Sequence, residues 1–132
     1  MKKYILFLLP LFLGLLVSND IEAKKKKYPN GDRYEGEWED GTPNGSGKMT
    51  YANGDIYIGG WLAGNKHGKG RKTYGNGDCY EGNWFYSNKQ GNGTMTYSNG
   101  EQYIAKWIDH KSGNGTIKYK NRSIYVGDFK DL

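Results

Sequence analysis

Four tryptophans, Trp38, Trp61, Trp84 and Trp107, stand 23 residues apart, and most of the chain keeps step with them. Tyr34, Tyr57, Tyr80 and Tyr103 repeat at the same interval. So do Tyr28, Tyr51, Tyr74 and Tyr97, and the glycine pairs Gly45/Gly47, Gly68/Gly70 and Gly91/Gly93. Tyr119, Tyr125, Phe129 and Gly113/Gly115 continue each series one residue early, as one deletion between Trp107 and Gly113 requires. A fixed period of this length means a stack of small supersecondary units, none of which can bury its apolar face alone.

Each unit reads Tyr-x-Gly-x-Trp, a loop of five or six residues, then Gly-x-Gly-x-x-x-Tyr and an Asn-Gly turn. Spacing by two within Tyr34, Gly36, Trp38 and within Gly45, Gly47, Met49, Tyr51 is the period of a β-strand. Ala52-Asn53-Gly54, Gly75-Asn76-Gly77 and Ser98-Asn99-Gly100 are strong hairpin-turn signals. A three-residue loop with Gly54 left-handed pairs Tyr51 with Asp55 and sets Met49 opposite Tyr57, Gly47 opposite Gly59 and Gly45 opposite Trp61. A two-residue loop would throw the aromatic set onto opposite faces. The three-residue register therefore predicts an all-β fold, a single-layer antiparallel meander of repeated β-hairpins. One face carries a row of glycines, Gly36 to Gly127, covered by Tyr and Trp rings, the aromatic cover that bare strand backbone favours. The other face, with Glu35, Glu37, Ser46, Lys48 and Thr50, is mostly wet. Arg122 takes the left-handed position held elsewhere by Gly54, Gly77 and Gly100, and Ala105 interrupts the glycine row. The C-terminal end is expected to be the softest part.

Tyr34-Glu35-Gly36-Glu37-Trp38 followed by Gly45-Ser46-Gly47 resembles the MORN repeat (membrane occupation and recognition nexus). Tyr57 to Trp61 with Gly68-Lys69-Gly70, and Tyr80 to Trp84 with Gly91-Asn92-Gly93, match again. Tyr103 to Trp107 is a weaker copy and Tyr125 to Phe129 a truncated one, so the resemblance spans about four and a half units over residues 28–129. It implies an elongated sheet. For function it implies binding, with tasks in the family that range from phospholipid contact, as in junctophilins and plant phosphatidylinositol-phosphate kinases, to scaffolding and dimerisation. Fold alone does not choose among these.

Residues 28–132 form the expected repeat domain, behind a signal segment over 1–23 and a basic tail over 24–27. Met1-Lys2-Lys3, an apolar run from Ile5 to Val17 and a polar stretch ending in Ala23 have the three-part order of an export signal. The run is too short for a membrane anchor: thirteen helical residues rise ~20 Å, whereas a bilayer core needs ~30 Å. An N-terminal anchor is the alternative, because Lys24 to Lys27 follow directly and positive charge there resists translocation. Export, to a secreted or periplasmic and even membrane-associated location, is the expectation. The formal charge of +5 rests on these lysines. Residues 28–132 hold 13 Lys/Arg against 12 Asp/Glu, so the repeat body lacks the spread-out positive stripe of a nucleic-acid binder.

No catalytic constellation, metal cluster or cofactor motif is expected. His67 and His110 fall in inter-strand loops, and Cys79 is the lone cysteine. Asn44, Asn92, Asn114 and Asn121 each begin Asn-x-Ser/Thr, read as turn residues or glycosylation acceptors. The chain is read as a non-catalytic binder. Its candidate contacts are Trp38, Trp61, Trp84 and Trp107 at the loop edge together with Lys24, Lys25, Lys26 and Lys27. Three partner classes remain open: a membrane phospholipid surface; a partner protein or a second copy (a homo-oligomer) meeting an open sheet edge; and a carbohydrate stacked on the rings.

Overall fold

The computed structural model describes residues 22–108 and 111–128. Of the signal segment expected over 1–23 as a helix, residues 1–21 lie outside the described residues, as do His110 and Phe129, while Glu22 and Ala23 belong to the first strand, paired with Trp38 and Glu37. Ten strands follow one another: β1 (Glu22–Lys27), β2 (Arg33–Glu39), β3 (Thr42–Thr50), β4 (Ile56–Leu62), β5 (Asn65–Thr73), β6 (Cys79–Phe85), β7 (Asn88–Thr96), β8 (Gln102–Ile108), β9 (Lys111–Lys118) and β10 (Ile124–Asp128). They form one antiparallel sheet in chain order, and the described residues contain no helix. Thr, Tyr and Trp on a period of two supply the strand preference, and turn chemistry at each end sets the register.

The Asn-Gly turns behave as the sequence predicts. Tyr51 N donates to Asp55 O at 2.8 Å and Gly54 N to Tyr51 O at 3.0 Å, with Gly54 at φ +91°. Met49 then pairs with Tyr57, Gly47 with Gly59 and Gly45 with Trp61. Arg122 holds the same left-handed place at φ 69°, a conformation that costs a residue with a Cβ roughly 1–2 kcal/mol.

The opposite ends of the hairpins differ from expectation. Among the described residues no five- or six-residue loop exists there. Asp40-Gly41 (φ 46° and 80°), Ala63-Gly64 (46° and 80°) and Tyr86-Ser87 (43° and 68°) are two-residue turns with both residues left-handed. That is the primed geometry whose twist matches the flanking strands. The remaining loop residues form a bulge. Between the Gly36–Gly47 and Trp38–Pro43 pairs, β2 supplies Glu37 alone and β3 supplies Asn44, Gly45 and Ser46. The same shift recurs at Gly59/Trp61 and Gly82/Trp84, and at Ala105/Trp107 it is one residue shorter, with Gly113 and Asn114 opposite Lys106. Gly45, Gly68 and Gly91 sit in these bulges at φ +96°, +73° and +78°, which only glycine adopts without strain.

Lys24 to Lys27 are not a tail in front of the sheet. They are most of β1, with Lys24 opposite Gly36 and Lys27 opposite Arg33. The reason is a turn at Tyr28 to Asp32 of the same kind as the others: Gly31 N donates to Tyr28 O at 3.0 Å and Tyr28 N to Asp32 O at 2.9 Å. It folds the lysines back on β2, whose backbone groups would otherwise be unpaired. Among the described residues the sheet therefore begins at Glu22 rather than at Tyr28.

One face holds the core. Tyr34, Tyr57 and Tyr80 are buried to within 1% of completely, and Trp61, Trp84 and Trp107 are nearly so. The rings interlock edge to face along the sheet, Tyr57 between Trp61 (5.1 Å) and Trp84 (5.4 Å), Tyr80 between Trp84 (5.1 Å) and Trp107 (5.4 Å). This geometry suits the ring quadrupoles. The Tyr34, Tyr57 and Tyr80 rings lie over Gly47, Gly70 and Gly93, where a Cβ would overlap the phenol. Each hydroxyl then donates to the carbonyl of the bulge residue: Tyr34 to Glu37 O (2.7 Å), Tyr57 to Gly60 O (2.9 Å), Tyr80 to Asn83 O (3.1 Å). Trp61, Trp84 and Trp107 Nε1 donate to Gly47, Gly70 and Gly93 O. These bonds leave the polar atoms of the buried rings satisfied, so burial of a Tyr or Trp adds stability without the cost of an orphaned donor.

Gly70→Ala should therefore cost about 1–3 kcal/mol of unfolding free energy, the range for overpacking a filled site. Urea unfolding checks it; a change within about 0.5 kcal/mol, the scatter of neutral surface substitutions, would contradict the packing described.

Candidate binding face

The sequence candidates divide once their depth is known. Trp61, Trp84 and Trp107 belong to the core at 4–6% exposure, so their indole faces are turned to Tyr34, Tyr57 and Tyr80 rather than to solvent. Trp38 is half-buried, with Lys24 Nζ 4.8 Å from its ring. Strand alternation sends Lys24 and Lys26 to the aromatic face and Lys25 and Lys27 to the other, where Lys25 meets Glu35 at 3.2 Å. The four lysines and four tryptophans do not converge on one site.

A different set does converge on the aromatic face. Across the strands runs a row of paired residues: Lys26, Tyr34, Met49, Tyr57, Lys72, Tyr80, Met95, Tyr103 and Ile117. Lys72 stands where the other units place Met49, Met95 or Ile117. Its ammonium bonds Asp55 at 2.8 Å and lies 4.6 Å from the Tyr74 ring and 5.5 Å from that of Tyr51. Lys66, opposite Trp61, reaches over the same ground, 4.9 Å from the Trp84 ring and 5.8 Å from Tyr51 and from Tyr57. One repeat on, Lys89 sits opposite Trp84, with its ammonium 4.7 Å from the Trp107 ring, 5.1 Å from Tyr80 and 5.8 Å from Tyr74. Ammonium groups over ring faces are held by the quadrupole while they keep an exposed side.

The tyrosines fall into two classes. Tyr34, Tyr57 and Tyr80 use their hydroxyls inside the sheet. Tyr51, Tyr74 and Tyr97 are half-buried at the Asn-Gly end, and their hydroxyls have no hydrogen-bond partner among the described residues. Burial, followed by the nearby carboxylates, raises the Tyr51 and Tyr74 hydroxyls to about 12, so both are protonated donors at neutral pH. Burial pushes Asp55 up, but the Lys72 hydrogen bond and the Gly75 amide (3.0 Å) more than offset it and hold the carboxyl below its ordinary value. Asp32, Asp55 and Asp78 each accept a backbone N–H from the next turn, from Ala52, Gly75 and Ser98. The turn row is thus tied repeat to repeat.

His67 lies in β5, not in a loop, with its ring 5.3 Å from those of Phe85 and Tyr86 and its Nδ1 buried without a partner. Cys79 begins β6 and receives a hydrogen bond from Arg71 Nε at 3.0 Å. Among the described residues no three His, Cys, Asp or Glu side chains gather as a metal site would require. What sequence reasoning missed is the lysine set. Aligning the repeats flags it: Lys72 against Met49 and Met95, and Lys66 and Lys89 against Pro43 and Ser112.

Burial first, and the Lys72 charge second, push the Lys66 amine down to about 8 from 10.5. Between these values the unfolded chain binds the proton and the folded chain releases it. The cost of the buried charge, fully present below pH 8, is therefore relieved as pH rises towards 10.5. Subtracting the stability of Lys66→Gln from that of the parent cancels the shared tyrosine titrations. The difference should climb with pH from 8 to 10, read by urea unfolding; a flat difference would contradict the burial of this ammonium.

A search of curated proteins finds no match. Among solved structures, the chain is similar in fold to the TCP domain of SAS-4 (dCPAP) of Drosophila melanogaster, in complex with a proline-rich motif of Ana2 (dSTIL). The TM-score is 0.55 at 20% identity, over 92% of this chain and 72% of that one, a likeness of fold. The family model for the MORN repeat matches residues 34–56, 57–79 and 80–102, and the chain belongs to the MORN-repeat family.

Proposed function

We propose that this chain is a non-catalytic binding module that receives an extended segment of a partner protein on its tyrosine–lysine face. The observation that carries this reading is the row of Tyr51, Tyr74 and Tyr97, half-buried, one per repeat, with hydroxyls that no group among the described residues uses. A ring packed on one side and a donor free on the other is what grooves for extended peptides present. The proline-rich motif in the complex of the fold relative supports the same reading by analogy. A carbohydrate platform has less support, because Trp61, Trp84 and Trp107 spend their faces on the core. Pairing of two copies along β1 is discouraged by its four lysines, since charge on an edge strand opposes strand addition.

A second reading, contact with an acidic phospholipid surface, draws on the opposite face. Lys25, Lys27, Arg33 and Lys48 neighbour one another there, with Glu35 among them and Ile58 exposed beside Lys48. Near an acidic membrane each such cation contributes ~1 kcal/mol, weak binding in total. Export through the segment 1–23 would place either partner outside the cytoplasm.

Titration calorimetry of the full chain with a proline-rich peptide should show binding that Tyr74→Ala weakens about tenfold, a typical aromatic-anchor loss, while Ile58→Ser leaves it unchanged. Peptide binding indifferent to Tyr74→Ala, or retention on acidic vesicles with no peptide binding, would reject the first reading.

A further inference from the structure

Two lysines of β5 reach the Tyr51 ring, Lys72 at 5.5 Å and Lys66 at 5.8 Å, and they differ in what balances them. Lys72 holds the Asp55 carboxylate at 2.8 Å. The Lys66 ammonium makes neither an ion pair nor a hydrogen bond among the described residues, although the residue is half-buried and the ammonium lies against Trp84 and Tyr57. Ring faces attract a cation but give its three N–H donors no lone pair. A half-buried ammonium in that state carries a cost that an incoming anion removes.

The surroundings specify the anion. Facing Lys66 are Lys72 on its own strand, Lys89 on β7, Asp55 in the turn before β4, Tyr57 on β4 and Tyr51 just after β3. Lys72 and Asp55 offset each other, which leaves the Lys66 charge over. A single negative charge matches it. A phosphate, at about −1.5 to −2, would bring excess charge towards Asp55. Tyr51 supplies a second donor, for its hydroxyl has no partner among the described residues and burial, then Asp32 and Asp55, raise it to about 12. An ammonium and a phenol can each donate to one oxygen of a carboxylate, and hydrogen bonds to an ionised acceptor are the strong kind.

Resting on the reading above, we propose that the partner segment sets the carboxylate of an aspartate or glutamate on the Lys66 ammonium, with its second oxygen accepting from the Tyr51 hydroxyl. Association is then linked to a proton. Burial and the Lys72 charge hold the free amine at about 8, and a carboxylate beside it raises that value. Well below pH 8 the amine is already charged and binding takes up no proton. Above pH 8 the free amine is mostly neutral, and forming the pair draws a proton from water. The contribution of the acidic side chain is therefore full near pH 7 and falls about tenfold by pH 9, as a group titrating at about 8 requires.

Two synthetic proline-rich peptides of one length, with glutamate or glutamine at the same interspersed positions, test this by calorimetry with the full chain. At pH 7 the glutamate peptide should bind about tenfold tighter, a modest figure for a desolvated charge pair, and by pH 9 the advantage should be gone. Heats measured at pH 8 in buffers of different ionisation enthalpy should report uptake of about half a proton with the glutamate peptide. Lys66→Gln should remove the advantage and the uptake. Lys66→Arg, charged throughout this range, should keep the advantage at pH 9 and take up no proton. Lys106→Gln, the loss of an exposed lysine opposite Asn92, should change neither. Position 66 tolerates exchange, since Pro43 and Ser112 fill it in other units, and circular dichroism confirms the fold of each variant. Equal affinity for the two peptides, an advantage that survives Lys66→Gln, or binding without proton uptake overturns the carboxylate seat while leaving peptide binding intact. No binding by either peptide, whether or not acidic vesicles retain the chain, overturns both.

Discussion

The sheet depends on one contact made three times over: a tyrosine ring lying on a bare glycine in the neighbouring strand. Tyr57 over Gly70 is representative. The glycine lets the ring approach the backbone, the ring shields the ladder from water, and the phenol hydroxyl reaches the Gly60 carbonyl that the bulge has freed. The tryptophan of the same unit closes the gap to the tyrosine before it and bonds the Gly47 carbonyl. A single-layer sheet has no second layer to bury its apolar groups against. Here the side chains of one face form their own layer, and each ring is completed by the next repeat. Stability is then a sum of unit and neighbour terms.

That arrangement separates structure from recognition within one residue type. Where a tyrosine covers a glycine, its hydroxyl is consumed inside the sheet. Where it stands at the Asn-Gly turn, as Tyr51 and Tyr74 do, the ring is held but the hydroxyl is free. Lys66 and Lys72 enter between the two rows, in places that other units fill with Pro43, Met49 or Met95. Cations set among rings in this way are costly in isolation, as the lowered Lys66 pKa of about 8 reflects. Sites that hold desolvated charge are frequently sites of function.

Much of this was legible beforehand, and the failures have physical causes. Alternation by two and the Asn-Gly turns define strands, register and faces, because slipping one residue would expose every buried ring. The tight turns at the other end were half legible. Asp40-Gly41 is a favoured primed-turn pair, but Tyr86-Ser87 is not, and it takes that shape because Ser87 bonds Lys66 N (3.2 Å) and Asn65 (3.3 Å) of the preceding hairpin. Lys24 to Lys27 looked like a tail because charge outweighed the Pro29-Asn30-Gly31 turn signal that pairs them with β2. Spacing assigned Trp61, Trp84 and Trp107 to a face without giving their depth, which is set by the tyrosine of the neighbouring unit. The lysine set was visible as departures from the repeat template, though not as a site, because only the fold brings Lys66 and Lys72 to the same Tyr51 ring.

The most direct measurement compares two removals of a single oxygen, Tyr57→Phe and Tyr74→Phe, by equilibrium urea unfolding. The Tyr57 change orphans a bulge carbonyl and should cost about 1–2 kcal/mol, whereas the Tyr74 change should cost nearly nothing. Equal losses at the two positions would contradict the division of the tyrosines on which both the fold and the binding face rest.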